Sequence, residues 1–237
     1  MPKQIFVDEE NFDIKMVEMP TVVSPLIGAE APGRRHLGTL EGTLSVLVVR
    51  VVASNRATSA SERQLANSIF GNDNENPQSV NMRTQFQACS HGKLNFIEAA
   101  DRNGRSSRTR IRLGATTVYV ENVSTIQGHA AMRNAITVAL NNQFGVSRPD
   151  ELANHVMYCL PPNTFDGVAY AYIDSWNSVY NDDWCLRLSA QMHEIGHNLN
   201  LGHSNENDPY GDQSGMVRVV CDVVILMFND ITYISNG

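Results

Sequence analysis

Apolar positions along this chain change their spacing several times, and each change marks an element. Thr43 to Ala53 is a nearly continuous run of β-branched and apolar residues broken by Arg50, which predicts a buried strand. From Ser61 to Phe70 the spacing becomes helical, with Ser61 placed to cap the start and Gly71 to close the end. An Asn- and Asp-rich loop follows at 71–77, and Ser79 to Ala88 predicts a second helix carrying Met82 and Phe86. Lys93 to Ala99 predicts a short strand, and Thr109 to Glu121 alternates as one or two more. Gly128 to Phe144 predicts a helix bearing Ala131, Ile136, Val138 and Leu140 and ended by Gly145. His155 to Leu160 is an apolar strand stopped by Pro161-Pro162, and Gly167 to Ile173 (GVAYAYI) is another. A polar loop then leads into a last helix. Residues 1–40 lack clear periodicity, contain Pro20, Pro25 and Pro32, and read as an extended leader or pro-segment remnant.

In the last helix Leu188, Met192, Ile195 and Leu199 recur at helical period and form one apolar stripe. At about 100° per residue, His193 and His197 fall roughly opposite it, so one face buries while the other presents imidazoles to a cleft. The segment reads HEIGHNLNLGH from His193 to His203. Histidines four residues apart leave the same helix face one turn apart, which is the spacing two ligands of one zinc ion need. Glu194 sits beside the first, where its carboxylate reaches a water on the metal instead of the metal. His203 lies too far round to ligate from the same straight helix, so the helix must stop and the chain turn back before it. Three neutral imidazoles leave a fourth tetrahedral position for water, the arrangement of a catalytic zinc.

Composition narrows the function classes. The chain has 237 residues, 42% hydrophobic and 18% charged, an ordinary globular balance long enough for one domain with a substantial core. A net charge of −7 argues against nucleic acid or an anionic membrane as the main partner. The five arginines between Arg102 and Arg112 are interspersed with other residues and read as a solvated hairpin region. No stretch reaches the roughly 18 apolar residues of a membrane helix, and the first sixteen residues do not form a secretory signal peptide. Cys89, Cys159, Cys185 and Cys221 allow two disulfides and contain no CxxC pair. Asn122-Val123-Ser124 is a lone glycosylation sequon.

With Met216 downstream, HEIGHNLNLGH resembles the metzincins, zinc peptidases with a long histidine motif and a later Met-turn. The stretch from HVMYCLPPNTF through YGDQSGM, with LVVRVVA and QACSHGKLNF upstream, is similar to the gametolysin family of extracellular matrix-degrading metallopeptidases. The likeness covers roughly Gly42 to Met216. It implies an α+β fold with an α/β-like N-terminal lobe (41–203), a mixed twisted sheet above the active-site helix, and a small irregular C-terminal lobe (204–237). It also implies that His193, His197 and His203 bind Zn2+, that Glu194 is the general base, and that Met216 forms a floor beneath the metal. Two departures stand out. Asn200 occupies the place where metzincins have glycine, and asparagine is the other residue that readily turns left-handed. Val217, Arg218 and Val219 follow Met216 where many metzincins have a tyrosine, and the tail to Gly237 no longer resembles the family, as a truncated gene end would. With no cysteine before Cys89, a cysteine-switch zymogen is not expected.

The expected activity is endopeptidase cleavage of proteins, with extracellular matrix or cell-wall glycoproteins as the substrate class that the resemblance implies. Tyr210 is a candidate oxyanion donor, with packing as its alternative; GVAYAYI is a candidate cleft edge for an extended substrate or an ordinary strand. Cys159 and Cys185 fit either a disulfide or buried thiols. Asp183, Asp208 and Asp212 read as solvated loop acids before calcium ligands, and His155 as a core histidine. His36, His91 and His129 have no ligand-spaced neighbours. Two rivals stand beside the enzyme: a catalytically inactive zinc-binding interaction domain, and a peptidase with a glutamate third ligand. Only Glu206 follows the motif, in loop-like SNENDPYG, which disfavours the latter.

Overall fold

A computed structural model of the chain describes residues 4–7, 14–17, 41–71, 80–102, 110–121 and 128–201. Strands β1 (Gln4–Val7) and β2 (Ile14–Val17) form an antiparallel pair inside the region read as leader. The main body alternates β3 (Gly42–Ala53), α1 (Glu62–Phe70), α2 (Met82–Cys89), β4 (Leu94–Glu98), β5 (Ala115–Val120), α3 (Gly128–Phe144), β6 (His155–Leu160), β7 (Ala169–Ala171), β8 (Asn177–Asn181) and α4 (Leu188–Asn198).

β3 is the axis of a six-stranded mixed sheet. Along one edge it pairs in parallel with β6, with Val46 opposite His155; along the other its first half pairs with β4 and its second with β5, both parallel. β8 adds to β6 in parallel and β7 closes that side antiparallel. Side chains of β3 and β6 alternate between two apolar layers, which is why both strands read as continuous hydrophobic runs. Leu47, Val49, Val51, Val156, Tyr158 and Leu160 pack with Met132, Ile136 and Leu140 of α3. Val46, Val48, Met157 and Cys159 face α1, α2 and α4 through Ile69, Phe86, Met192 and Ile195. The result is a mixed α/β sandwich of helix, sheet and helices, matching the expected class. Arg50 is accommodated because its Nε and Nη2 donate to the carbonyls of Ala60 and Thr58 at 2.7 and 2.9 Å.

The caps explain the helix boundaries. Ser61 and Gln64 form a reciprocal capping box, and Gly71 ends α1 at φ 68°. α2 starts later than the sequence pattern suggests, because Asn81 caps it through Thr84. In α3 the buried stripe is Met132, Ile136 and Leu140, while Val138 is 58% exposed. Val138 stands two residues from Ile136, about 200° round the helix, and so falls on the face away from the sheet.

The predicted polar loop before the last helix is in part a strand. β8, read NSVYN, is buried at every position. Its asparagines have low strand propensity but are satisfied where they lie. Asn177 Nδ2 donates to the Val156 carbonyl at 2.9 Å, and Asn181 Nδ2 donates to the carbonyls of Phe165 and Gly167 at 3.1 Å each. Among the described residues no helix is long and apolar enough to cross a membrane.

Candidate active site

α4 is held at both ends. Before it, the 3-10 turn Asp182–Leu186 is joined to β6 by a Cys159–Cys185 disulfide, with Cα atoms 5.7 Å apart. This settles the thiol question left by the sequence, and among the described residues no cysteine is free. Gln191 Nε2 donates to the Cys185 carbonyl and to Ser68 Oγ of α1, at 2.7 and 3.0 Å. Asp183 pairs with Arg187 at 3.0 Å, in keeping with a loop acid.

The other end is a turn centred on Asn200, whose φ of 71° is the left-handed conformation anticipated for it. Leu201 N donates to the Gly196 carbonyl at 3.0 Å and Asn200 N to that of His197 at 2.9 Å, the paired bonds of a Schellman motif. The turn brings the Leu201 carbonyl back to the His197 ring, where it accepts from Nδ1 at 2.8 Å. A carbonyl only accepts, so the proton sits on Nδ1 and Nε2 keeps its lone pair. Burial also holds His197 below the ordinary histidine range, outweighing the opposing pull of that carbonyl. Its imidazole is thus neutral at physiological pH.

His193 Nε2 lies 3.1 Å from His197 Nε2, with the rings nearly perpendicular. Two nitrogens each about 2.0–2.1 Å from one tetrahedral zinc stand about 3.3 Å apart, so this pair already converges as two ligands of one ion would. Glu194 is only 3% exposed and its Oε2 has no hydrogen-bond partner among the described residues. Burial pushes its carboxyl well above the usual range. A buried carboxyl oxygen with no partner among the described residues, next in sequence to one of two convergent imidazoles, fits a site completed by a cation and a reacting water. The nitrogen donors and their spacing thus suit zinc.

The helix is more enclosed than its amphipathic pattern suggests. Met192, Ile195 and Leu199 of the apolar stripe are buried as expected and Leu188 partly so, but Glu194 and His197 are buried too, while His193 is partly open. The β7–β8 hairpin is fastened to the last turn of the helix. Asp174 N donates to the His197 carbonyl at 3.0 Å, and Asn198 Nδ2 donates to the carbonyls of Tyr172 and Asn177 at 3.1 and 3.0 Å. Asn198 escaped sequence reasoning; the one signal was an amide in a helix turn otherwise filled by the motif and apolar residues. His203, Met216, Tyr210, Glu206, Asp208 and Asp212 lie outside the described residues, as do His36 and Cys221. Among the described residues no group of three or more His, Cys, Asp or Glu side chains gathers to hold a metal. His155 is a core residue edge-on to Phe96, and His129 packs against Tyr170 and Phe165.

A family model for the gametolysin peptidase M11 matches residues 43–221, which is well over half of the chain and includes all of HEIGHNLNLGH and Met216. The chain belongs to the gametolysin peptidase M11 family. It is therefore a metallopeptidase, a hydrolase acting on peptide bonds, and its family implies a metal. The match begins beside the start of β3 and takes in α4, so the family unit contains the sheet that positions the histidines. No curated protein matches the chain.

Proposed function

We propose that this gametolysin-family chain is a zinc-dependent endopeptidase in which His193, His197 and His203 hold the metal and Glu194 is the general base. The observation that carries the reading is the 3.1 Å convergence of the two Nε2 atoms, with the His197 tautomer fixed by the Leu201 carbonyl. Zinc held there would supply Lewis-acid polarisation of the scissile carbonyl and lower the pKa of the attacking water toward neutrality. Glu194 would be the base that accepts a proton from the attacking water and returns it to the departing amine. Its Oε2 has no competing partner among the described residues, and the closed surroundings strengthen its interaction with any nearby positive charge. Met216 is assigned the floor of the site.

β7 is the last hydrogen-bonded strand on its side of the sheet and runs antiparallel to β8, and β1 packs beside it; an extended peptide added there as a further strand would take the side of β7 that β1 approaches. Substrates are proposed to be extracellular matrix or cell-wall glycoproteins. The Cys159–Cys185 disulfide supports an oxidising compartment. Residues 1–40 are proposed as a leader or pro-segment remnant and 41–237 as the catalytic domain, a division supported by the family match beginning at residue 43.

The test is hydrolysis of casein or gelatin by zinc-loaded protein beside Glu194→Ala, with zinc measured in both. The expected result is cleavage by the parent, a loss of at least about 100-fold in the variant, and equal zinc. Chelation should abolish the activity and added zinc restore it. If both proteins hold zinc and neither cleaves, the chain is instead a zinc-binding interaction domain.

A further inference from the structure

We propose that Asn198 is a positioning residue that sets the place of the β7–β8 hairpin, and with it the substrate edge, relative to the metal-ligand helix. The inference rests on the peptidase reading and adds to it a residue that neither binds metal nor touches the reacting atoms. Asn198 directly follows His197 in the last turn of α4 and is 4% exposed. Its single Nδ2 uses both hydrogens on the hairpin. One goes to the Tyr172 carbonyl just after β7, the other to the carbonyl of Asn177 at the start of β8. Between these stems Asp174, itself left-handed at φ 54°, donates its N–H to the His197 carbonyl. The last turn of the ligand helix therefore grips the hairpin at both stems and at its tip.

The chemistry asks for asparagine. Two short, coplanar donors must reach two carbonyls from one point on a helix. Aspartate has the same shape but no donor, and serine has one. If the amide is lost, the imidazoles remain on α4 while the strand beside them is free to shift. A displacement of about 1 Å between bound peptide and reacting centre is enough to cost on the order of 100-fold.

Two zinc-directed probes separate positioning from general stability, since a dissociation constant reports the folded molecules only. Acetohydroxamate contacts the metal alone; a tripeptide hydroxamate such as Pro-Leu-Gly-hydroxamate must reach the metal and β7 together. In zinc-loaded full-length protein, Asn198→Ala should bind the peptide probe at least about tenfold more weakly and acetohydroxamate within about twofold of the parent, at unchanged zinc content. Asn198→Asp should behave like Asn198→Ala. Asn181→Ala also removes two side-chain bonds to carbonyls, those of Phe165 and Gly167, without touching α4, and should leave both affinities near the parent values. Should the alanine variant fail to fold, Asn198→Ser, with one donor left, should fall between parent and Asn198→Asp. Unchanged peptide affinity in the Asn198 variants, parallel weakening of both probes, or a peptide that adds nothing in the parent would each overturn the proposal. Failure of acetohydroxamate to bind the zinc-loaded parent is a different pattern and would sink the peptidase reading itself.

Discussion

At the residue scale, position on the helix matters less than what each side chain is buried against. His193 and His197 follow from i, i+4 spacing, and Glu194 from its place beside them. The partners that fix their chemistry do not follow from spacing. The Leu201 carbonyl reaches His197 only because of the turn between them, and the carbonyls bound by Asn198 belong to residues 26 and 21 positions earlier. His129 shows the same dependence. Its ring is edge-on to Tyr170 at 5.3 Å, and burial, with the Arg133 guanidinium adding to it, holds its pKa below the ordinary 6.5. The unfolded chain therefore takes up a proton below about pH 6.5 that the folded protein resists, so this contribution to stability is present above that value and lost as pH falls through the folded pKa. Replacing His129 with Phe, which keeps the aromatic packing and removes the proton, should flatten the acid side of the curve. Urea midpoints at pH 7.5 and 5.5 should fall further for the parent than for His129→Phe.

At the element scale, caps and turns decide where helices end and what their ends can do. The Asn200 turn stops α4, redirects the chain and supplies the carbonyl that sets the His197 tautomer. Asn200→Gly should retain stability and zinc affinity, because glycine enters the left-handed region without strain. Asn200→Val should cost on the order of 1–2 kcal/mol in urea unfolding and weaken zinc binding in isothermal titration. In α3 the two neighbouring apolar positions should behave oppositely. Ile136→Ala removes a fully buried side chain between α3 and the sheet and should cost roughly 2–5 kcal/mol. Val138→Ala should change thermal stability by no more than about 0.5 kcal/mol. The sequence pattern recognised the helix but could not choose between these faces, because isolated valines and isoleucines look alike until the sheet is in place.

At the scale of the whole molecule, the sheet, the disulfide and α4 act together. The Cys159–Cys185 bond closes a segment of 26 residues that contains β7 and β8 and ends at the entrance to α4. On chain entropy alone, replacing both cysteines with alanine should lower stability by about 3.5 kcal/mol, readable as a lower urea midpoint under non-reducing conditions. Sequence alone determined the elements whose signals are local. β3 and β6 were visible as nearly continuous apolar runs, α1 through its cap and closing glycine, and the histidine–glutamate set through helical geometry and its resemblance to gametolysin peptidases. Tertiary structure decided what depends on contact between distant segments. β8 was hidden because its buried asparagines find their hydrogen bonds on β6 and on the loop before β7. The seating of the hairpin on α4 was hidden because it depends on one amide, that of Asn198, and on carbonyls far back in the chain. Periodicity records which side of an element avoids water; it carries no record of which distant carbonyl will satisfy a buried donor.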